Sequence, residues 1–358
     1  MKITKVTEIV FDEEEDIKAA TLSSANELVL MTSAGTVGRY YIKEQKKEAL
    51  FSVKSSIGYK DGGFDIDALT TIYTQDSIVV VVNDFKRHGF VHYPGKYNVL
   101  RLWRGEYHAD ISCFPIALFK NEEGIPHLVY GKDWNHLQIM NLDTRQVLTA
   151  AKSLIEVNAE ERHIEFYKNY EESNKLEWPR SYDYFFGELR MSPDNKHFLS
   201  KGWAWGSCDA YSVYEVDHFI HNNRIQDKSI GGWEHDDRAA CWVDSETVAV
   251  AYNPLAEGDD DATKGSPQEL HFYKVLEKGT ELEKKIAIVG LDLVNATIRF
   301  NKTLKAFILY SNSIGVALVS LEGEILLQDE TIIPDSYHSE LNQFLKFDAK
   351  SVAVYRIE

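Results

Sequence analysis

SPDNKHFLSKGWAWGSCDAYSVYEV, residues 192–216, holds one turn and two strand-like runs, with tryptophans at 203 and 205. Ser192-Pro193-Asp194-Asn195 carries proline and aspartate where a type I turn favours them. The apolar run GELRM (187–191) precedes the turn. HFLSKGWAW (197–205) and YSVYEV (211–216) follow it. The unit is therefore strand, turn, strand, loop, strand.

The same unit recurs along the chain. Its second strand returns as ELVLMTS (27–33), SIVVVVND (77–84), PHLVYGKDW (126–134), TVAVAYN (247–253), KAFILYS (305–311) and SVAVYRIE (351–358). A short first strand stands upstream of each: AATL (19–22), ALTTIY (68–73), PIALF (115–119), AACWV (239–243), ATIRF (296–300) and QFLKF (343–347). Third strands are read at VGRYYI (37–42), NVLRLW (98–103), HLQIMNL (136–142), YSVYEV, LHFYKV (270–275) and GVALVS (315–320). The seven second strands begin 50, 49, 71, 50, 58 and 46 residues apart. Four-strand units repeating every ~40–50 residues are the mark of a β-propeller, so the sequence predicts an all-β, seven-bladed β-propeller.

The seventh unit reads as two strands ending at Glu358, which would leave an open sheet edge. ITKVTEIV (3–10) is strand-like and precedes the first unit. The economical closure pairs this N-terminal strand with the C-terminal blade and removes the edge. A single domain over 1–358 is then expected, with insertions at about 152–182 and 254–268. The first insertion, with its charged run AEERHIEFYKNYEESNK (159–175), suits a short helix or an ordered loop. Insertions in repeat folds map to one face and often carry binding.

Composition narrows the partners. Acidic residues outnumber basic ones by 56 to 39, a formal charge of −17. Such a surface repels phosphate backbones and anionic bilayers, so neither nucleic acid nor membrane is expected as a partner. No apolar run reaches the length of a membrane span, and the acidic N-terminus does not read as a signal peptide. The cysteines, Cys113, Cys208 and Cys241, are odd in number and lack CxxC spacing. They read as reduced, buried small hydrophobes in a cytoplasmic protein.

Catalytic signatures are missing: there is no HExxH, GxSxG, GxxxxGK[ST] or GxGxxG. DDDATKGSPQE (259–269) approaches a calcium loop, with Asp259, Asp261 and Thr263 at alternate positions. Its Gly265 and Glu269 fall at the seventh and eleventh places, out of register with the sixth and twelfth that calcium needs. A solvated acidic loop is the plainer reading. His88 with His92, and His218 with His221, would suit a metal only on a helix. HGFVH (88–92) reads as a connection between strands, so surface or hydrogen-bonding histidines are expected. No metal, cofactor or catalytic residue is assigned.

The candidate binding residues are aromatic and acidic loop ends. Asp133, Trp134 and Asn135 close the second strand of blade three, and Trp203 and Trp205 close that of blade four. Alternation points Trp203 and Trp205 the same way. The plainer expectation packs both between blades, where replacing either would leave a cavity. The alternative puts one or both on a rim, with Trp205 the more exposed. His108, and Trp233, Asp236 and Asp237 before blade five, could join that rim.

RGEYHADISCFPIALF (104–119), YGKDWNHLQIMNLDTRQVLT (130–149), YFFGELRMSPDNKHFLSKGWAWGSCDAYSVYEVD (184–217) and AACWVDSETVAVA (239–251) together resemble a group of bacterial WD-repeat-like propellers with no established reaction. The Gly-His pair and terminal Trp-Asp of ordinary WD repeats are absent. The resemblance implies a propeller, and by fold-level analogy a non-enzymatic, monomeric scaffold that binds another protein. The rival expectation is a small-ligand binder or enzyme at the channel mouth, using Asp133, His108 and the tryptophans.

Overall fold

The computed structural model describes residues 1–358 except 12–13, 55–60, 150–153, 170–180, 207, 233–236 and 255–265, and the side chain of 169. Its strands form seven antiparallel sheets. Blade one is Ile17–Ser24, Glu27–Thr32, Thr36–Tyr41 and Lys46–Ser52, and blade two is Thr70–Gln75, Ile78–Asn83, His88–Tyr93 and Tyr97–Trp103. Blade three has three strands among the described residues, Ile116–Lys120, Pro126–Asp133 and His136–Asn141. Blade four is Phe185–Met191, His197–Ala204, Cys208–Glu215 and Lys228–Ser229. Ala240–Trp242, Thr247–Tyr252, Gln268–Val275 and Thr280–Ile288 make blade five. Thr297–Asn301, Ala306–Ser311, Gly315–Ser320 and Ile325–Asp329 make blade six. The protein is an all-β, seven-bladed propeller.

Burial explains why the second strands are so legible. They lie between neighbouring blades, so both of their faces are covered; every residue of Ile78–Asn83 is buried. Val29 and Met31 of blade one meet Val79 and Val81 of blade two in one such seam. Phe119, Val129 and Ile139 of blade three meet Phe186, Phe198 and Tyr214 of blade four in another. Fourth strands such as Thr280–Ile288 are mostly exposed along the outer wall.

The seventh blade closes the ring. Ile3–Val10 pairs antiparallel with Ser351–Ile357, from Ile3 opposite Ile357 to Val10 opposite Ser351. Lys2 and Glu358 exchange backbone hydrogen bonds of 2.8 and 2.9 Å. The order Ile3–Val10, Ser351–Ile357, Gln343–Phe347, Ser336–His338 corrects the expected strand count. QFLKF and SVAVYRIE are the second and third strands. The first is the three-residue Ser336–His338, too short and polar to announce itself, and Ile3–Val10 is the fourth.

Blade two carries a second correction. NVLRLW is its fourth strand, and its third is His88–Tyr93, which had read as a connection. Gly89 disguises that strand. A Cβ there would stand 2.8 Å from the Val82 side chain on the neighbouring strand, so the close approach requires glycine. In the first insertion Ala159–Asn169 is an α-helix, with Glu160 and Glu161 in its first turn and Lys168 in its last, as the helix dipole favours.

Two faces follow from the blade order. Second-to-third turns and the loops between blades share the upper face, tied by Ser33 N to Asp16 O (2.7 Å), Asp84 N to Leu69 O (2.9 Å) and Phe186 N to Trp134 O (2.9 Å). First-to-second turns share the lower face. No helix among the described residues is long and apolar enough to cross a membrane.

Candidate functional site: an aromatic surface on blades three and four

Two facing glycines shape blade four. A Cβ on Gly187 would sit 2.0 Å from the Lys201 carbonyl oxygen, and one on Gly202 would sit 2.1 Å from the Tyr184 hydroxyl. Their absence of side chains permits an irregularity in which Phe185 pairs with Trp203 while Glu188 pairs with Lys201. Such a bulge re-aims side chains. Here it lays Phe185 flat on Trp203, with centroids 3.7 Å apart and planes 10° from parallel.

Phe185 is buried and acts as the base of the cluster. Around it stand Trp134 at 4.4 Å, Trp205 at 4.9 Å, His108 at 5.3 Å and Tyr107 at 6.2 Å. Tyr107, Trp134 and Trp205 lie 5.8 to 6.3 Å from one another with planes about 60° apart. Tyr107 and Trp205 are each 50% exposed. This is a pre-formed aromatic surface open to solvent.

Hydrogen bonds fix the polar edges of the rings. Trp203 donates its indole N–H to Ser112 Oγ at 2.9 Å, and Trp205 donates to Asp183 Oδ1 at 2.7 Å. Neither tryptophan is buried between blades; Ala204, between them in sequence, faces that seam. The expectation that both are interblade core is corrected. Trp203 is a partly buried support, and Trp205 is on the rim.

The loop presenting Tyr107 and His108 is clamped from below. Arg104, 4% exposed, donates to the carbonyls of Lys86 (2.7 Å), Cys113 (3.1 Å), Ala109 (2.8 Å) and Ser112 (2.7 Å). Burial lowers its pKa to about 10, so it stays charged at neutral pH. His108 adopts φ +52°, a conformation the clamp helps to hold. Asp84 adds a further tie by accepting from the Thr71 hydroxyl and from Phe114 N at 3.3 Å. Burial pushes the Asp84 carboxyl above its usual range.

The sequence-derived candidates therefore divide. His108, Trp134, Trp203 and Trp205 come together. Asp133 lies exposed beside them; it accepts from Trp134 N at 2.9 Å and packs over Gly105. Asn135 donates to the Tyr182 carbonyl at 2.7 Å, a structural tie between blades. Asp237 sits at the upper channel mouth, 3.0 Å from Lys201 Nζ. Trp233 and Asp236 lie outside the described residues, as do residues 259–265 of the acidic loop. Tyr107, Phe185, Arg104 and Asp183 were missed. Tyr107 beside His108 was the one available hint.

The histidine pairs serve locally. His88 Nε2 meets Asp61 Oδ2 at 2.9 Å and His92 Nδ1 meets the Asn98 carbonyl at 2.6 Å. Four residues along a strand separate them by about 13 Å, too far to share an ion. His218 and His221 do lie on a helix, Val216–His221. His218 Nε2 meets the Arg224 carbonyl at 3.1 Å, and His221 Nδ1 meets the Asp217 carbonyl at 2.9 Å. Among the described residues, no three His, Cys, Asp or Glu side chains are placed to hold a metal. Of the cysteines only Cys241 is buried; Cys113 and Cys208 are partly exposed, and none forms a disulfide. Burial pushes the thiols of Cys113 and Cys241 up to about 12, which makes them poor nucleophiles at neutral pH.

A second concavity, of about 480 Å3, opens at the upper channel mouth between Phe85, Ile111, Trp203, Lys201 and Asp237, with Glu188 deeper in.

No protein-family model and no curated protein sequence matches the chain. Solved structures do match in fold. The WD40 domain of Pan2 from Neurospora crassa aligns over 99% of this chain and 94% of its own, at 9% identity and a TM-score of 0.55. A catalytically inactive virginiamycin B lyase from Staphylococcus aureus, solved with quinupristin, aligns over 100% of both chains at 7% identity and a TM-score of 0.58. At such identities the likeness shows the fold alone: a propeller of the kind found in WD40 proteins.

Proposed function

We propose that residues 1–358 form a single propeller domain that acts as a protein-interaction module, docking its partner on the aromatic surface of blades three and four. The observation that carries this reading is the aromatic triad of exposed Tyr107 and Trp205 with half-buried Trp134, mounted on buried Phe185. Rigid aromatic anchors supply large contact area at small entropic cost, and they dominate protein interfaces. Asp110 and Asp133 lie exposed nearby, and the Glu106 side chain is 86% exposed. A partner segment bearing arginine or lysine fits this combination, because such cations stack on aromatic faces and pair with carboxylates. Use of WD40-type propellers as interaction scaffolds supports the reading by analogy.

The cavity at the upper channel mouth favours a second reading, a small-ligand site, and a lyase among the fold neighbours is in keeping with it. Copurification from native cells with mass spectrometry separates the two. A stoichiometric protein released by high salt supports docking, since cation–carboxylate pairs at the rim are screened. A retained metabolite without any protein would replace this reading with the second.

A further inference from the structure

The channel also opens on the lower face, opposite the aromatic surface, through a concavity of about 620 Å3 walled by the first-to-second turns of blades four to seven. At its inner end Glu188 meets three cations that are very unequally committed. Arg190 places Nε and Nη2 on Glu188 Oε1, both at 2.8 Å, and Nη1 on the carbonyls of Ala240 (2.6 Å) and Ile298 (3.0 Å). Lys201 turns to the upper mouth, 3.0 Å from Asp237 and 3.7 Å from Glu188.

Arg299 is different. Its Nη1 donates to the Ile298 carbonyl at 3.0 Å, but Nη2 stops 3.8 Å short of Glu188, beyond hydrogen-bonding range. Among the described residues its Nε and Nη2 hydrogens make no hydrogen bond. Its side chain is 33% exposed, and that exposure is to the channel concavity. Tyr73, from the first strand of blade two across the ring, lines the same space, and its hydroxyl likewise makes no hydrogen bond among the described residues. Burial raises the Tyr73 phenol well above its ordinary pKa, so it is a proton donor at neutral pH.

Charge points the same way. Among the lining residues Arg190 and Arg299 face one carboxylate, Glu188; Asp84, which acts on Tyr73 from above, is offset by Arg104, and Lys302 and Glu340 at the rim cancel, so one positive charge is left in excess. In a protein of net charge −17 this is a local reversal, and a narrow low-dielectric channel focuses it. A guanidinium with two uncommitted donors presents a fork that matches two oxygens of a carboxylate or phosphate, and a phenol can supply a third donor.

We propose that Arg299 and Tyr73 form a binding site for a small oxyanion, carrying a carboxylate or phosphate group, in the lower half of the channel. This site opens on the face opposite the aromatic surface and does not rest on the docking reading.

The test is calorimetric titration of the purified protein with inorganic phosphate and, separately, with succinate, against chloride at matched ionic strength. Saturable binding is expected near the ~1 mM that a few charge-assisted contacts support. Phosphate alone or succinate alone binding identifies which oxyanion the site prefers. Arg299→Gln should weaken binding about tenfold and Tyr73→Phe about threefold, while Lys302→Gln stays within about twofold. Tyr73→Phe removes only a hydroxyl, so it decides the matter if Arg299→Gln folds poorly. No saturable heat with either oxyanion up to about 20 mM, or equal binding by wild type and Tyr73→Phe, would overturn the proposal.

Discussion

Replacing Trp203 and Trp205 one at a time should separate the support of the aromatic surface from its rim. Trp203 has roughly two thirds or more of a ~250 Å2 side chain covered, so truncation forfeits up to about 4 kcal/mol of apolar burial. The parallel stack on Phe185 adds about 0.5–1.5 kcal/mol, and the bond to Ser112 about 1 kcal/mol, each lessened by relaxation into the gap. Trp203→Ala should therefore cost about 3–5 kcal/mol, the usual range for a tryptophan removed from a packed site. Trp205 is 50% exposed and meets Phe185 edge-on, and its hydrogen bond to Asp183 is exposed. Half of the same ~250 Å2 forfeits at most about 3 kcal/mol, and with relaxation at the open rim Trp205→Ala should cost about 2–3 kcal/mol. With ~2.1 cal/mol/K per residue, the unfolding entropy is about 0.75 kcal/mol/K. The expected falls in Tm are then about 4–7 °C and about 3–4 °C. Urea unfolding and calorimetry on the same samples give both quantities. Equal losses, or a larger loss for Trp205→Ala, would refute the assignment of support and rim.

Other outcomes follow from single contacts. Deleting residues 1–10 removes buried Ile9 and uncovers Val352 and Val354, so stability should fall by about 3–5 kcal/mol and the bare edge should promote association; an unchanged melting curve would refute ring closure. Asp209 and Arg238 are paired at 2.7 and 3.0 Å with side chains 7% and 4% exposed, so Asp209→Ala should cost about 3–5 kcal/mol by removing a carboxylate that neutralises a buried guanidinium. The double replacement Asp209→Leu with Arg238→Met should recover most of that loss, as read from urea midpoints. Burial would raise the Glu188 carboxyl, but Arg190, Lys201 and Arg299 together hold it well below its ordinary value. Its contribution is thus complete above the unfolded pKa near 4.5 and is lost as pH falls below it. The stability gap between wild type and Glu188→Gln should therefore narrow between about pH 5 and pH 3; a constant gap would contradict the linkage.

Blade number was legible because second strands are covered on both faces and so read as unbroken apolar runs, as in SIVVVVND. Strands whose burial is shared or brief escaped. His88–Tyr93 hides its role behind two histidines and a glycine that Val82 demands, and Ser336–His338 has three residues and no apolar pattern. The shared face of Trp203 and Trp205 followed from alternation alone. Their contact with Phe185 did not, because the irregularity between Phe185 and Glu188 alters the register that alternation assumes. Arg104 was invisible for another reason: in sequence a buried arginine holding four carbonyls looks like any surface charge. Cys113 and Cys208 show the reverse error, since small apolar residues read as core even where the fold leaves them near a mouth or a turn.

The central claim is that the aromatic surface of blades three and four is where a protein partner docks. Its most direct test is the affinity of the copurified partner for wild type, Trp205→Ala and a control, Val289→Ala, whose side chain is 72% exposed beside the outer strand of blade five. A central anchor is worth at least about 2 kcal/mol, so Trp205→Ala should weaken binding by about thirtyfold or more while Val289→Ala leaves it unchanged. Equal affinity of the partner for wild type and Trp205→Ala would contradict the claim.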